Sequence, residues 1–267
     1  MRRVLGFVDD SPCTTSVIST AESLGRLLNA DVDLISVEEP GHGPPERTHG
    51  VRMVTGDAAE VLAVELAAHD VAFAVMGSRS THTKSEPLGH VTNALLQSSP
   101  VPLAIVPPSG ESLPQQPRLL VPLDGTGETT TAVRDVAERL TEAGANIVGL
   151  HVYDSSSVPP FVDSLRNLET IAEEFAERHL PGRTERCELR IGDPGLHIIE
   201  LAQLDEIDGI ILAWHQRLSA GRAEVLRYVL RQLSVPILII PIKPAPLGRA
   251  SSPPERLEGK SPPAPPE

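Results

Sequence analysis

The residues best suited to chemistry lie where a predicted strand gives way to a glycine-bearing loop. An apolar run ends at Met76, and Gly77 follows at the point where the chain must leave the sheet. The polar segment 78–86 leads to Gly89, after which apolar residues recur with helical spacing. Residues 101–106 then form a short apolar run bounded by prolines, as in a buried parallel strand. Because open parallel sheets bind ligands beyond the carboxyl ends of their strands, we predict that any small-molecule site lies here.

Composition excludes several other classes of protein. The 267 residues are 40% apolar, which is enough for one or two domains with real cores. A formal charge of -13 and an aromatic content of 3% argue against binding to long nucleic acids. Cys13 and Cys187 have no partner spacing, which excludes a disulfide framework or a cysteine zinc site. No run of about 18 apolar residues predicts a membrane span, so we expect a cytoplasmic protein.

Internal repeats indicate two copies of one domain. Three octapeptides each recur in similar form and in the same order: 4–11 as 119–126, 55–62 as 191–198, and 101–108 as 235–242. The offset between copies grows from 115 to 136 residues, which predicts an inserted helix between the second and third strands of the second copy. We therefore predict domains at 1–108 and 117–243, a linker at 109–116 and a disordered, proline-rich tail at 244–267.

The order of elements predicts an α/β fold. Strands and helices alternate in both copies, which favours parallel sheets with helices on both faces. In the second copy, Leu168, Ala172 and Phe175 belong to an apolar stripe with helical spacing, which identifies the inserted helix. The first copy instead has the proline- and glycine-rich segment 38–50, which we interpret as a loop.

Short motifs at corresponding places resemble a known family. VDDS (8–11) and LDGT (123–126) follow the first strands, TGDA (55–58) and IGDP (191–194) precede helices, and GSRS (77–80) follows the fourth strand. In this order, the motifs resemble those of the universal stress proteins. The resemblance implies two flavodoxin-like, Rossmann-like (adenine nucleotide alpha hydrolase-like) five-stranded parallel-sheet domains in tandem, paired through their fifth strands. It also implies a regulatory role in stress response. We expect no enzymatic activity, because the sequence contains no Ser-His-Asp triad, P-loop or metal-binding motif.

For the first copy, the ATP-binding branch of that family implies a set of cofactor-binding residues. Asp9 would face the ribose or adenine, Val37 would form the adenine wall, and the loop and helix start would hold phosphate. The full set is Asp9, Val37, Met76, Gly77, Arg79, Ser80, Gly89, His90 and Val91. Ser80 and His90 depart from the family pattern, and Asp10 adds a second carboxylate that would require Mg²⁺ to bridge it to a polyphosphate.

The second copy departs further from the nucleotide-binding pattern. It retains Asp124, but Ala213 replaces Gly77 and Glu224 places an anion where phosphate should bind, so we predict a structural partner domain. Two functions remain open: a regulator that senses ATP with Mg²⁺ through its first copy, or a nucleotide-free scaffold for an unknown protein partner. Further dimerisation is compatible with either.

Some polar residues have simpler interpretations than catalysis. Asp57 and Asp193 follow glycine and precede helices, so we predict that they are N-caps. His82, His90 and His215 are expected at the same edge of the sheet if both copies are built alike. They lack metal-ligand spacing, so we interpret them as solvated loop residues and predict no metal site.

Overall fold

A computed structural model describes residues 2–39, 50–78, 88–108, 112–153, 165–180, 182, 184–216, 222–232 and 234–242. The first half contains β1 (Arg3–Phe7), α1 (Thr14–Leu28), β2 (Asp31–Glu38), β3 (Val51–Thr55), α2 (Ala58–Leu66), β4 (Val71–Gly77), α3 (His90–Ser98) and β5 (Leu103–Val106). The second half contains β6 (Arg118–Leu123), α4 (Gly127–Glu142), β7 (Asn146–Tyr153), α5 (Leu165–His179), β8 (Thr184–Ile191), α6 (Pro194–Leu204), β9 (Gly209–Trp214), α7 (Arg222–Gln232) and β10 (Ile237–Pro241). The predicted α/β class is confirmed.

The described strands form one sheet in the order β3-β2-β1-β4-β5-β10-β9-β6-β7-β8. Neighbouring strands are parallel within each half, whereas β5 and β10 pair antiparallel, with Ile105 opposite Ile237. The predicted pairing of the two domains through their fifth strands is therefore confirmed.

This antiparallel joint corrects one expectation. Because the two halves run in opposite directions, the carboxyl ends of their strands lie at opposite edges of the joined sheet. His90 follows β4 and His215 follows β9, so these two histidines lie at opposite edges rather than together. His82 lies outside the described residues.

Alternation along the strands divides the core into two layers. In β5 every residue is buried, with Leu103 and Ile105 in one layer and Ala104 and Val106 in the other, as expected for a parallel strand covered on both faces. One layer packs against α2, α3, α6 and α7, and the other against α1, α4 and α5. The helices on both faces were predicted from the order of elements.

The inserted helix of the second half is α5, which lies between β7 and β8 as predicted. Its partly buried Phe175 packs against the core, while Glu173, Glu174 and Glu177 are exposed. Most of the predicted loop 38–50, residues 40–49, lies outside the described residues, as does the tail 244–267.

Two further findings concern the connecting segment and the helices. Leu113, within the predicted linker, is only 1% exposed and belongs to a core layer, so this segment is anchored to the fold. Among the described residues, no helix is both long and apolar enough to cross a membrane.

Candidate functional site

The strand order of the first half reverses at the carboxyl edge between β1 and β4, and we call this position the crevice. The chain leaves β1 toward β2 on one side, while β4 and β5 lie on the other, so the connections diverge at this point. Open α/β sheets bind ligands in such crevices. Phe7 pairs with Met76, which places Asp9 beside the end of β4. The helices α1 and α3, which follow these two strands, begin at this same edge.

Asp9 is held in an ordered turn after β1. Its side chain is exposed, and its Oδ1 accepts a hydrogen bond of 3.1 Å from the backbone N–H of Ser11. The Ser11 hydroxyl oxygen accepts one of 3.2 Å from the N–H of Cys13, and the Thr14 hydroxyl donates to the carbonyl of Asp9. These bonds keep the carboxylate at the mouth of the crevice.

One hydrogen bond connects the end of β4 to β5, and two connect it to the start of α3. The N–H of Ser78 donates to the carbonyl of Val106 at 2.8 Å, and the N–H of Gly89 donates to the carbonyl of Ser78 at 2.9 Å. The Thr92 hydroxyl donates to the carbonyl of Gly77 at 2.9 Å. The two ends of the loop are therefore joined, and the N-terminus of α3 is positioned directly beside the end of β4.

The helix starts at this crevice differ from the others. Asp57, Thr126 and Asp193 cap α2, α4 and α6, each with a side-chain oxygen that accepts a backbone N–H, which confirms the N-caps predicted at Asp57 and Asp193. By contrast, α1 and α3 begin without a side-chain cap and without an acidic residue in their first turn. The positive end of the helix dipole favours an anion at such positions.

The remaining predicted site residues are distributed between core and surface. Met76 is 4% exposed and its side chain belongs to the core, so only its backbone borders the loop. Val37 and Val91 are partly buried and pack on the same core layer, whereas His90 is exposed at the first position of α3. Gly89 has φ -68°, a backbone conformation that any residue can adopt. Glycine is therefore not required there for its conformational freedom.

Arg79 and Ser80 lie outside the described residues. The structure therefore brings Asp9, Gly77, Gly89 and His90 to one edge of the sheet, with Val37 at the end of neighbouring β2.

The equivalent edge of the second half has a different chemistry. Asp124 Oδ1 accepts hydrogen bonds from the N–H and the hydroxyl of Thr126, at 2.9 Å and 2.7 Å. The first turn of α7 contains Glu224. A carboxylate there already complements the helix dipole, which disfavours a phosphate at the same place.

A buried aromatic cluster in the second half was not predicted. His151 stacks on Phe175 with ring centroids 4.5 Å apart. The ring centroid of His179 lies 4.2 Å from that of the same Phe175 side chain. The Thr130 hydroxyl donates to the carbonyl of Thr126, so His179 Nδ1, 2.6 Å away, is the donor to Thr130 Oγ1. Burial, followed by the charges of Arg178 and of His151, lowers the pKa of His179. The i, i+4 spacing of Phe175 and His179 was the available sequence signal.

Neither cysteine side chain is exposed at the surface. The Cys13 side chain is completely buried at the start of α1. Burial raises the pKa of the Cys187 thiol to about 12. Within the described residues, no cluster of histidine, cysteine and carboxylate side chains has the geometry of a metal site.

Two hydrogen bonds join the halves beside the sheet. Trp214, at the end of β9, donates its indole N–H to the carbonyl of Leu96 in α3 at 2.8 Å. The side-chain amide of Gln216 donates to the carbonyl of Ser99 at 2.7 Å. The last turn of α3 is thus attached to the carboxyl edge of the second half.

These features define a class: tandem, doubly wound α/β proteins. The model of the Universal stress protein family matches residues 41–107 and 117–241. The chain belongs to the universal stress protein family, as its motifs suggested. The match to the first half begins at residue 41, yet the structure shows that β1, α1 and β2 before it complete the same topology.

Solved structures support the fold. A universal stress protein from Archaeoglobus fulgidus is 16% identical, with a TM-score of 0.65 over 90% of this chain and 98% of its own. A functionally unknown protein from Pseudomonas aeruginosa is 12% identical, with a TM-score of 0.63 over 91% of this chain and 93% of its own. A search of curated proteins found no match. At these identities the similarity shows the tandem architecture alone.

Proposed function

We propose that this stress-response family member is a regulatory protein whose first half binds an adenine nucleotide, ATP with Mg²⁺. The observation that carries the proposal is the pair of helices at the crevice, α1 and α3, which begin without side-chain caps or acidic first turns. Two helix N-termini directed at one crevice provide backbone N–H donors and partial positive charge for phosphate oxygens.

The carboxylates at the crevice determine what accompanies the nucleotide. Asp9 and Asp10 are both exposed at the end of β1, where they would repel a bare polyphosphate. A magnesium ion prefers carboxylate and phosphate oxygens together, so it would convert this repulsion into a bridge. In this proposal Asp9 faces the ribose or the metal, Val37 lies beside the base, and the start of α3 at Gly89 and His90 holds phosphate.

Calorimetric titration of the full chain with ATP and magnesium tests the proposal. We expect one site per chain with a Kd on the order of micromolar. His90→Glu gives α3 the acidic first turn that α7 has at Glu224, and it should abolish the heat of binding. Gln97→Glu adds the same charge near the other end of α3, at an exposed position, and should leave binding intact.

Two outcomes of the titration would contradict the proposal. No heat with ATP, ADP or AMP, together with an unchanged melting temperature, would refute nucleotide binding. Equal binding by wild-type protein and His90→Glu would place the nucleotide elsewhere.

The second candidate is a nucleotide-free interaction scaffold. It is favoured by an apolar area on β2 and β3, where Val32 is 37% exposed and Met53 is 38% exposed. In the second half α5 packs against β8, the counterpart of β3. Size-exclusion chromatography with light scattering tests this alternative. If the protein is a monomer at all concentrations and binds ATP measurably, the apolar area does not serve self-association.

A further inference from the structure

We propose that the first half carries a docking groove for a basic amphipathic helix of a partner protein. The floor of this groove is the face of β2 and β3 on the side of α1, and it consists of Val32, Leu34, Val51 and Met53; we call it the β2–β3 groove. The inference deepens the scaffold function considered above, because it names the class of partner. It does not rest on nucleotide binding, since the groove lies on a face of the sheet rather than at its carboxyl edge.

Strand pairing places the four floor residues on one face of the sheet. Leu34 pairs with Val51, and both pack against the core layer that lies under α1. Side chains two positions apart on a strand share a face, which adds Val32 on β2 and Met53 on β3. Val32 is 37% exposed and Met53 is 38% exposed, so the floor offers apolar surface to a partner.

Helix α1 forms the inner wall of the groove. It packs against β1, β2 and β4. A Cβ on Gly25 of α1 would lie only 2.6 Å from Val32 Cγ2, so the floor meets the helix directly at this point. Beside this contact, an open cavity of about 420 Å³ lies between the end of α1 and the start of β2. The surface is therefore concave, with a sheet floor and a helical wall.

The second half shows which element fits such a groove. Leu189 of β8 has the register position that Met53 has in β3. The amphipathic helix α5 packs against both β8 and α4, with Phe175 toward the core layer and Glu173 exposed. In the first half, the segment 38–50 contains three prolines and three glycines, which we interpret as a loop. We therefore expect the helix that covers β2 and β3 to come from another protein.

Charges at the rim determine the charge of that helix. Glu22 and Asp31 are exposed and line the cavity beside Val32. Glu38 lies at the other end of β2, on the same face as the floor. Among the described residues of this rim, Arg26 is the basic one. An apolar stripe flanked by lysine or arginine complements both the floor and the acidic rim.

Two peptides of equal length provide the test. One has the sequence of α5, residues 165–179, and the other carries Glu173→Lys, Glu174→Lys and Glu177→Lys. These glutamates are exposed in the fold, so both peptides keep the same apolar stripe. We expect the lysine peptide to bind the full chain one to one, and we expect the native α5 peptide to bind at least tenfold more weakly. Fluorescence anisotropy of labelled peptide measures both affinities.

An excess of ATP with magnesium should not displace the lysine peptide. Loss of peptide binding and loss of nucleotide binding are therefore separate results. Glu22→Gln together with Asp31→Asn removes negative charge from the rim and should narrow the difference between the two peptides.

Methionine methyl groups locate the peptide by nuclear magnetic resonance. Met53 lies in the floor, whereas Met76 is 4% exposed and belongs to the other core layer. In the free chain, a soluble gadolinium chelate should broaden the methyl signal of Met53 and spare that of Met76. The lysine peptide should shift the Met53 signal and protect it from the chelate, and it should leave Met76 unchanged.

A variant of the floor provides a second measure of position. Met53→Lys removes apolar surface and adds a repelling charge, so it should weaken binding of the lysine peptide at least tenfold. The matched control Val64→Lys adds the same charge to α2, which packs on the other core layer. Val64 is 74% exposed, and this variant should bind the peptide much as wild type does.

Contrary outcomes would overturn the proposal. Equal affinity of wild-type protein for the two peptides refutes the charge argument. Protection of Met53 from the chelate in the free chain shows that another segment or a second copy already covers the floor, which refutes an open groove. Binding without a shift of Met53 places the peptide elsewhere, even if Met53→Lys does not fold. Undiminished binding by a folded Met53→Lys variant does the same.

Discussion

Replacement of Trp214 by phenylalanine should destabilise the protein, because it removes the indole N–H that bonds to the backbone carbonyl of Leu96. Leu96 lies four residues before Pro100, which has no N–H to donate to its carbonyl. The indole N–H of Trp214 bonds to this carbonyl at 2.8 Å instead, in a buried position. Trp214 therefore completes the hydrogen bonding of α3 from the other half of the molecule.

The size of the effect has two parts. A buried carbonyl left without its donor costs about 1–3 kcal/mol. The smaller ring removes apolar contact worth roughly 1 kcal/mol more. We expect Trp214→Phe to lower the free energy of unfolding by about 2–4 kcal/mol in total.

Urea unfolding followed by far-ultraviolet circular dichroism measures this loss, because the variant has no tryptophan fluorescence. Tyr228→Phe is the matched control: it removes one polar group from another aromatic side chain of the second half, and no hydrogen bond of its hydroxyl is found within the described residues. A Trp214→Phe variant that unfolds within about 0.5 kcal/mol of wild type would refute the role given to this bond.

Three further predictions concern His179, the glycines near the start of α4 and the helix caps. The pKa of His179 is lowered in the fold, so its contribution to stability is complete above the unfolded value of about 6.5 and is lost as the pH falls through the folded value. His179→Gln should therefore flatten the fall in melting temperature between pH 7.5 and 5.5, and an unchanged slope would contradict this. Gly125 has φ +80°, so Gly125→Ala should lower the free energy of unfolding by about 1 kcal/mol. Gly127→Ala lies within α4 and faces open space, so it should be neutral or stabilising. Similar melting temperatures for the two variants would contradict this prediction. Asp57→Ala and Asp193→Ala should each lose about 1 kcal/mol in chemical denaturation, and no loss would show that these caps are replaceable by water.

Local patterns predicted much of the fold because the relevant interactions are close in sequence. The alternation of strands and helices and the inserted helix α5 were confirmed. The N-caps at Asp57 and Asp193 were also confirmed, since a cap depends on residues only three positions apart. The repeat and its longer second offset identified the place of the insertion.

Features that depend on distant contacts were not predicted. Leu113 is buried in a core layer that contains residues of both halves. The bond from Trp214 to Leu96 joins residues 118 positions apart. The opposite placement of His90 and His215 follows from the antiparallel joint of β5 and β10, combined with the direction of the strands before each histidine. Periodicity within one element carries no information about such partners.

For the candidate site, the sequence predicted the edge of the sheet and the residues at the two ends of the loop. Asp9, Gly77, Gly89 and His90 do lie at one carboxyl edge, because parallel strands place such residues together. The absence of a side-chain cap on α3 follows from Gly89, which has no side chain, whereas the absence of one on α1 could be seen only in the structure.

Amide hydrogen exchange with and without ATP and magnesium tests most directly whether the first half binds nucleotide. Binding at the proposed crevice should slow exchange in peptides that cover residues 8–14 and 77–92, with the corresponding peptides of the second half unchanged. Protection confined to the second half, or no protection at saturating ATP, would contradict the account.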